Sequence, residues 1–165
     1  LPILVTSNAR TGPRASPSFP DRVNATDLMP HTQLSASAWW AQSERDADAA
    51  DLLLQGGLEA HAVAMAHLSV EKALKAVYRS QQKGAPPVTH NLTVLAERVA
   101  LVLPPELAAA LDDLSGLDVS LLYQPEALFR RRLPTSMPDA RKLVADAKAL
   151  REWIRKEARS DTADA

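Results

Sequence analysis

The sequence contains no cysteine, which excludes disulfides, cysteine-ligated zinc, iron–sulfur clusters and a thiol nucleophile. Glycine is scarce, at 5 of 165 residues, and aromatic residues make up only 4% of the chain. Alanine and leucine are the most frequent residues. Alanine and leucine favour helices, whereas strands are rich in aromatic and β-branched residues. The composition therefore predicts an all-α domain.

Long apolar runs are also missing. Crossing a bilayer takes about 18 consecutive apolar residues, and the opening stretch 1–5 is too short for the core of a signal peptide. We therefore expect a cytoplasmic protein without a membrane partner.

The net charge is −1, so no basic field extends over the whole molecule, and any affinity for nucleic acid must be local.

The chain divides into three parts by composition. Residues 1–34 hold five of the twelve prolines and no apolar periodicity, which predicts a flexible arm or one that clasps a partner. Residues 35–159 carry helical periodicity and have the length of one domain. Residues 160–165 are polar and are predicted to be a frayed tail.

Apolar residues spaced three and four apart predict the helices of the domain. The predicted ranges are 35–56, 58–82, 89–103, 106–123 and a last helix that starts near Pro138. Trp40 is expected on the inner face of the first helix, and Thr89 and Ser136 are expected to cap the third and last helices. The second helix has the widest apolar arc and is expected at the centre. Short connections between these helices predict an antiparallel up-and-down bundle of four to five helices.

Charge is polarised along the chain. Residues 41–71 sum to −5, and residues 130–160 sum to +6. One interpretation is that the first and last helices lie side by side and their exposed faces attract weakly. The other is that Arg130, Arg131 and Arg132, in a connection bounded by prolines, bind phosphate oxygens of a nucleotide or RNA.

The histidines offer weaker signals. His67 and Glu71 are four apart and share a helical face, which suits an acid–base pair or two metal ligands. His61 lies on another side of the helix, so no third ligand is in place, and we expect no metal and a structural histidine at the surface or an interface. His90 is expected to order the start of the third helix. Neither a P-loop nor a Gly-x-Ser-x-Gly motif occurs.

Two stretches carry a resemblance to a known family. The run from Ala60 to Val77 and the following run from Pro86 to Leu92 resemble the HEPN domain. The most specific parts are Glu71-Lys72-Ala73-Leu74-Lys75-Ala76 and Thr89-His90-Asn91-Leu92. The likeness covers about residues 35–158.

The resemblance implies a helical bundle that is commonly dimeric and works with RNA or nucleotides. It also implies a neighbouring nucleotidyltransferase as partner in a toxin–antitoxin pair. Many HEPN proteins are metal-independent ribonucleases whose motif is an Arg, four to six intervening residues and then a His. None of His31, His61, His67 and His90 has an arginine at that spacing, so the sequence is similar to an accessory, non-catalytic branch of the family.

These observations lead to one hypothesis and two alternatives. The hypothesis is a homodimeric HEPN-like domain, without cofactor or metal, that binds nucleotide or RNA phosphates and associates with a nucleotidyltransferase. Its predicted phosphate-binding residues are Arg130, Arg131, Arg132, Lys72 and Lys75. The first alternative is a ribonuclease toxin with a non-standard site that uses His67 or His90. The second is a structural protein-interaction domain.

Overall fold

The structure is a computed structural model that describes residues 34–81, 84–117 and 137–163, with the side chains of the last helix described over 139–159. Within these ranges the chain forms five helices and no strand. The helices are α1 (Ala36–Gln55), α2 (Glu59–Ser80), α3 (Leu92–Arg98), α4 (Pro105–Ser115) and α5 (Met137–Ala163). The prediction of an all-α bundle is confirmed.

Helices α1 and α2 form an antiparallel hairpin. Ser35 caps α1, since its side-chain oxygen accepts a hydrogen bond from the amide of Ala38 at 3.1 Å. The chain turns through Gly57, whose φ of 73° is left-handed and suits glycine. Apart from Trp39, the buried residues of α1 are small: Ser43, Ala47 and Ala50. Their size lets α2 approach closely, and the Ser43 hydroxyl donates to the backbone carbonyl of Ser69 at 2.7 Å.

Helix α2 is the centre of the domain, as the width of its apolar arc predicted. More than half of its residues are buried, and they face every direction around the helix axis. It packs against α1, α3 and α5. Many of the buried residues of α2 are alanines, and their small side chains let the neighbouring helices approach α2 closely on several sides.

The direction of α5 follows from its ion pairs with α1. Lys148 lies 2.5 Å from Asp51 near the end of α1. Arg155, further along α5, pairs with Glu44, which comes before Asp51 on α1. Helix α5 is therefore antiparallel to α1 and runs in the same direction as α2. The second and last long helices of an up-and-down bundle have this relation.

Helix α3 is shorter than predicted at both ends. Asn91, rather than Thr89, caps it, because its side-chain oxygen accepts from the amide of Val94 at 2.9 Å. The helix stops at Arg98, and Ala100 then has a left-handed φ of 56°. Val102 extended the apolar spacing in the sequence, but its side chain is 87% exposed and contributes nothing to the core.

Other boundaries also differ from the predicted ones. Trp39 is buried on the inner face of α1, whereas Trp40 is only partly buried, so the expected orientation of the tryptophan pair is wrong. Helix α4 ends at Ser115, where Gly116 is the C-cap, so it stops short of the predicted range; the rest of that range, 118–123, lies outside the described residues. Helix α5 continues to Ala163, into the predicted tail. The predicted arm up to residue 33 and the predicted cap Ser136 lie outside the described residues.

Candidate functional site

A buried carboxylate joins α2 to the segment that precedes α3. Glu71 accepts a hydrogen bond from Lys75 Nζ at 2.6 Å through Oε1, and from His90 Nδ1 at 2.8 Å through Oε2. The side chains of Glu71 and Lys75 are 4% and 10% exposed, whereas that of His90 is 65% exposed. We call Lys75, Glu71 and His90 the Glu71 cluster. It leads from the core to the surface.

Local sequence and packing explain the buried end of this cluster. Glu71 and Lys75 are four apart on α2, so they share one helical face. The Lys75 ammonium also lies 5.4 Å from the centre of the Trp39 ring, in cation–π geometry. Both carboxylate oxygens are engaged, and an opposite charge lies next to each buried ion. Paired in this way, the two charges can be held out of water.

The exposed end presents one defined ring nitrogen. An ionised carboxylate only accepts hydrogen bonds, so His90 Nδ1 must be the donor in its contact with Glu71. In the neutral ring, Nε2 then carries a lone pair and acts as an acceptor. Nε2 has no hydrogen-bond partner among the described residues. The arrangement can therefore accept a hydrogen bond or a proton from a ligand.

His67 lies behind His90 and is fully buried, so the expectation of a surface or interface histidine is wrong. Its Nδ1 is 3.0 Å from the carbonyl oxygen of Leu114, and its Nε2 is 3.0 Å from that of His90. A neutral ring donates only one of these bonds, and an imidazolium donates both. Burial lowers the pKa of His67, although the Leu114 carbonyl and the charge of Glu71 act in the opposite direction. With no exposed surface, this ring cannot contact a substrate.

The predicted phosphate-binding lysines are both engaged with acids. Lys72 Nζ lies 2.6 Å from Asp46 of α1, and this pair is partly buried, with side chains 21% and 16% exposed. Lys75 belongs to the Glu71 cluster. Arg130, Arg131 and Arg132 lie outside the described residues, so Lys72 and Lys75 are the members of the predicted set that the structure places.

The polarised charge is used in part within the bundle. Asp51 and Glu44 of α1 pair with Lys148 and Arg155 of α5, so the interpretation that the first and last helices attract each other is confirmed for these pairs. The Arg155 guanidinium also lies 5.7 Å from the centre of the Trp40 ring.

Among the described residues, no group of three His, Asp or Glu side chains is placed to hold a metal ion. No described helix has an apolar stretch of the length that spans a bilayer.

Comparison with known families identifies the domain. A family model of the HEPN domain matches residues 36–157. The chain belongs to the HEPN family. The match includes α1 to α4 and most of α5, and the whole Glu71 cluster lies within it. The chain has no significant match to a curated protein or to a solved structure.

Sequence reasoning missed the pairing at the centre of this HEPN domain. Glu71 was considered with His67, four residues earlier, but its hydrogen-bonded histidine is His90, nineteen residues later. A signal was present, since Glu71 and His90 each lie in one of the two stretches that carried the family resemblance most specifically. Neither stretch contains a pattern that indicates a contact between Glu71 and His90.

Proposed function

We propose that this HEPN domain binds the phosphate groups of RNA or nucleotides through Arg130, Arg131 and Arg132. In this proposal it is a homodimeric, non-catalytic partner of a nucleotidyltransferase, within a toxin–antitoxin pair. Lys72 and Lys75 contribute as positioning residues, because each already binds an acid of the bundle. Membership of a family that is typically RNA-binding or nuclease-related supports the class of ligand.

The observation that carries the proposal is the use of basic residues inside the bundle. Lys72, Lys75, Lys148 and Arg155 each form an ion pair with an acid on α1 or α2. These cations are therefore partly neutralised in place. The three consecutive arginines at 130–132 concentrate positive charge in the sequence, and guanidinium groups match the geometry of phosphate oxygens.

The described ends of the bundle add a second argument. The Ser115 hydroxyl, at the end of α4, lies 3.4 Å from both the side-chain oxygen of Asn91 and the amide nitrogen of Thr93. The chain therefore leaves α4 beside the start of α3, where the backbone carbonyls of Leu114 and His90 both face the ring of His67. In the sequence, Arg130 follows 13 residues after Leu117, where this described range ends.

The test compares the wild type with the triple variant Arg130→Ala/Arg131→Ala/Arg132→Ala. Binding of a short single-stranded RNA and of a nucleoside triphosphate is measured at several salt concentrations. We expect tight binding at low salt and a loss in the variant. Three phosphate contacts to a single strand correspond to a drop of about 2 in the slope of log K against log salt.

A matched control removes the same charge elsewhere. Arg98, Arg141 and Lys156 are exposed positions on α3 and α5, and their triple alanine variant should keep most of the affinity. Equal losses in both variants would mean that only net charge matters, and the arginine assignment would then be wrong. Sedimentation of the protein alone and mixed with a nucleotidyltransferase tests the dimer and the partner.

A ribonuclease is the second candidate, and the geometry of His90 favours it. A histidine whose Nδ1 is held by a carboxylate presents Nε2 as an acid–base group. His67 has no such role, because its ring is buried and faces two backbone carbonyls. RNA cleavage without added metal, abolished in His90→Ala, would replace the non-catalytic proposal.

A further inference from the structure

We infer that His90 is a ribose contact: Nε2 accepts a hydrogen bond from a ribose 2′-hydroxyl, and the domain thereby prefers RNA to DNA. This inference rests on the proposed function, since it concerns the nucleic acid bound there. It assigns a specificity-determining atom within the described residues. The arginines proposed for phosphate contact are not part of this argument.

The first step is the hydrogen-bonding character of the exposed nitrogen. Glu71 Oε2 accepts from His90 Nδ1 at 2.8 Å, and Oε1 of the same carboxylate accepts from the Lys75 ammonium at 2.6 Å. The neutral imidazole is therefore locked with its proton on Nδ1 and its lone pair on Nε2. A phosphate oxygen also offers only lone pairs, so it is a poor partner for this nitrogen.

The second step is the choice of donor. RNA carries a 2′-hydroxyl on every nucleotide, and this group lets proteins distinguish RNA from DNA. A sugar hydroxyl can donate to an imidazole lone pair without unstacking or flipping a base. An exposed acceptor such as His90 Nε2 is therefore suited to contact the sugar of a bound RNA.

The third step is preorganisation. His90 is tied to α2 twice, since its side chain binds Glu71 and its backbone carbonyl lies 3.0 Å from the buried ring of His67. Glu71 is in turn held by Lys75, which packs over Trp39. The imidazole therefore has a fixed direction before a ligand binds, and little rotational freedom is lost on binding.

Two substitutions separate the exposed nitrogen from the structural one. The amide of His90→Asn reaches the position of Nδ1 and can still donate to Glu71, but it leaves nothing at the position of Nε2. The amide of His90→Gln extends to the position of Nε2 and offers an oxygen acceptor there. The first variant keeps the link to the core and removes the proposed contact, and the second does the reverse.

The probes are short oligouridylates of equal length as RNA, 2′-O-methyl RNA, 2′-fluoro RNA and DNA. The two modified strands keep an RNA-like sugar conformation but have no 2′-hydroxyl proton to donate. Binding is measured near pH 8, above the pKa of imidazole in water. For the wild type we expect RNA to bind about two- to tenfold more tightly than either modified strand, the effect of one hydrogen bond.

In His90→Asn this RNA preference should fall to near unity while binding to the modified strands is unchanged. His90→Gln should retain part of the preference. Circular dichroism confirms that both variants are folded. A merely structural role of His90 would lower affinity for all four strands together and would leave their ratios intact.

The outcomes are distinct. A wild-type protein that binds all four strands equally overturns the ribose contact and leaves the proposed function standing. An RNA preference that survives in His90→Asn also overturns it, since the hydroxyl is then read by another residue. If no strand binds, both the proposed function and the ribose contact are wrong.

Discussion

Removing the charge of Glu71 should destabilise the domain strongly. Glu71→Gln keeps the size and planar shape of the side chain but leaves the Lys75 ammonium, only 10% exposed, without its counter-ion. The loss of one partner from a buried ion pair costs about 3–5 kcal/mol, because the remaining charge stays out of water. Domains of this size unfold with roughly 5–15 kcal/mol in total, so the loss is a large share of the stability.

The assay is urea unfolding followed by far-ultraviolet circular dichroism. With a denaturant dependence of about 2 kcal/mol per molar urea, the midpoint should fall by about 1.5–2.5 M. The control is the double variant Glu71→Gln/Lys75→Met, which removes both charges and keeps the length of the lysine stem. It should unfold within about 1 kcal/mol of the wild type, as other replacements of buried pairs by apolar groups do.

The stability of the single variant Glu71→Gln tests whether the pair of Glu71 and Lys75 is buried. If Glu71→Gln unfolds within about 1 kcal/mol of the wild type, the Lys75 ammonium reaches water and the pair behaves as a surface salt bridge. The description of the Glu71 cluster as a buried link to His90 would then be refuted. If the double variant loses as much as the single one, the cost comes from lost hydrogen bonds rather than from an unpaired charge.

Three further predictions concern other parts of the bundle. Because burial lowers the pKa of His67, the unfolded chain binds a proton at this residue more readily than the folded chain does. The contribution of His67 to the free energy of unfolding should therefore be full above about pH 6.5 and fall below it, by at most about 1.4 kcal/mol per pH unit. Urea unfolding at two pH values should show a smaller decrease for His67→Gln than for the wild type. Lys148→Ala should cost less than about 1 kcal/mol in the same assay, since the side chains of Lys148 and Asp51 are 42% and 35% exposed and their pair is in contact with water. Ala100→Gly should raise the free energy of unfolding by up to about 1 kcal/mol by relieving a left-handed φ, and thermal denaturation would contradict this if the melting temperature fell.

Helix identity was largely readable from spacing, because a helix that packs on one side repeats its apolar residues every three to four positions. The stripe of α5 shows this: of its apolar residues spaced three and four apart, Ala140, Ala147, Leu150 and Ile154 are buried and Leu143 is partly buried. Spacing failed where a residue fitted the pattern without a neighbour to cover it. Val102 is the clearest case, because the helix had already ended at a left-handed residue.

The candidate site was readable only in part. Glu71 and Lys75 lie four apart, and helical geometry alone places them on one face. The pairing of Glu71 with His90 depends on how the segment 84–91 returns along α2, which no local pattern encodes. The burial of His67 has the same origin, since the carbonyls it faces come from α4 and from the segment before α3.

The sequence by itself therefore determined the helical class, the central position of α2 and membership of the HEPN family. These properties depend on composition, periodicity and short motifs, which are local. Only the tertiary structure decided which charges are paired, which histidine is buried and which ring nitrogen of His90 is bonded to Glu71. Hydrogen-bond partners and burial come from residues far apart in the chain, and they exist only when the helices pack together.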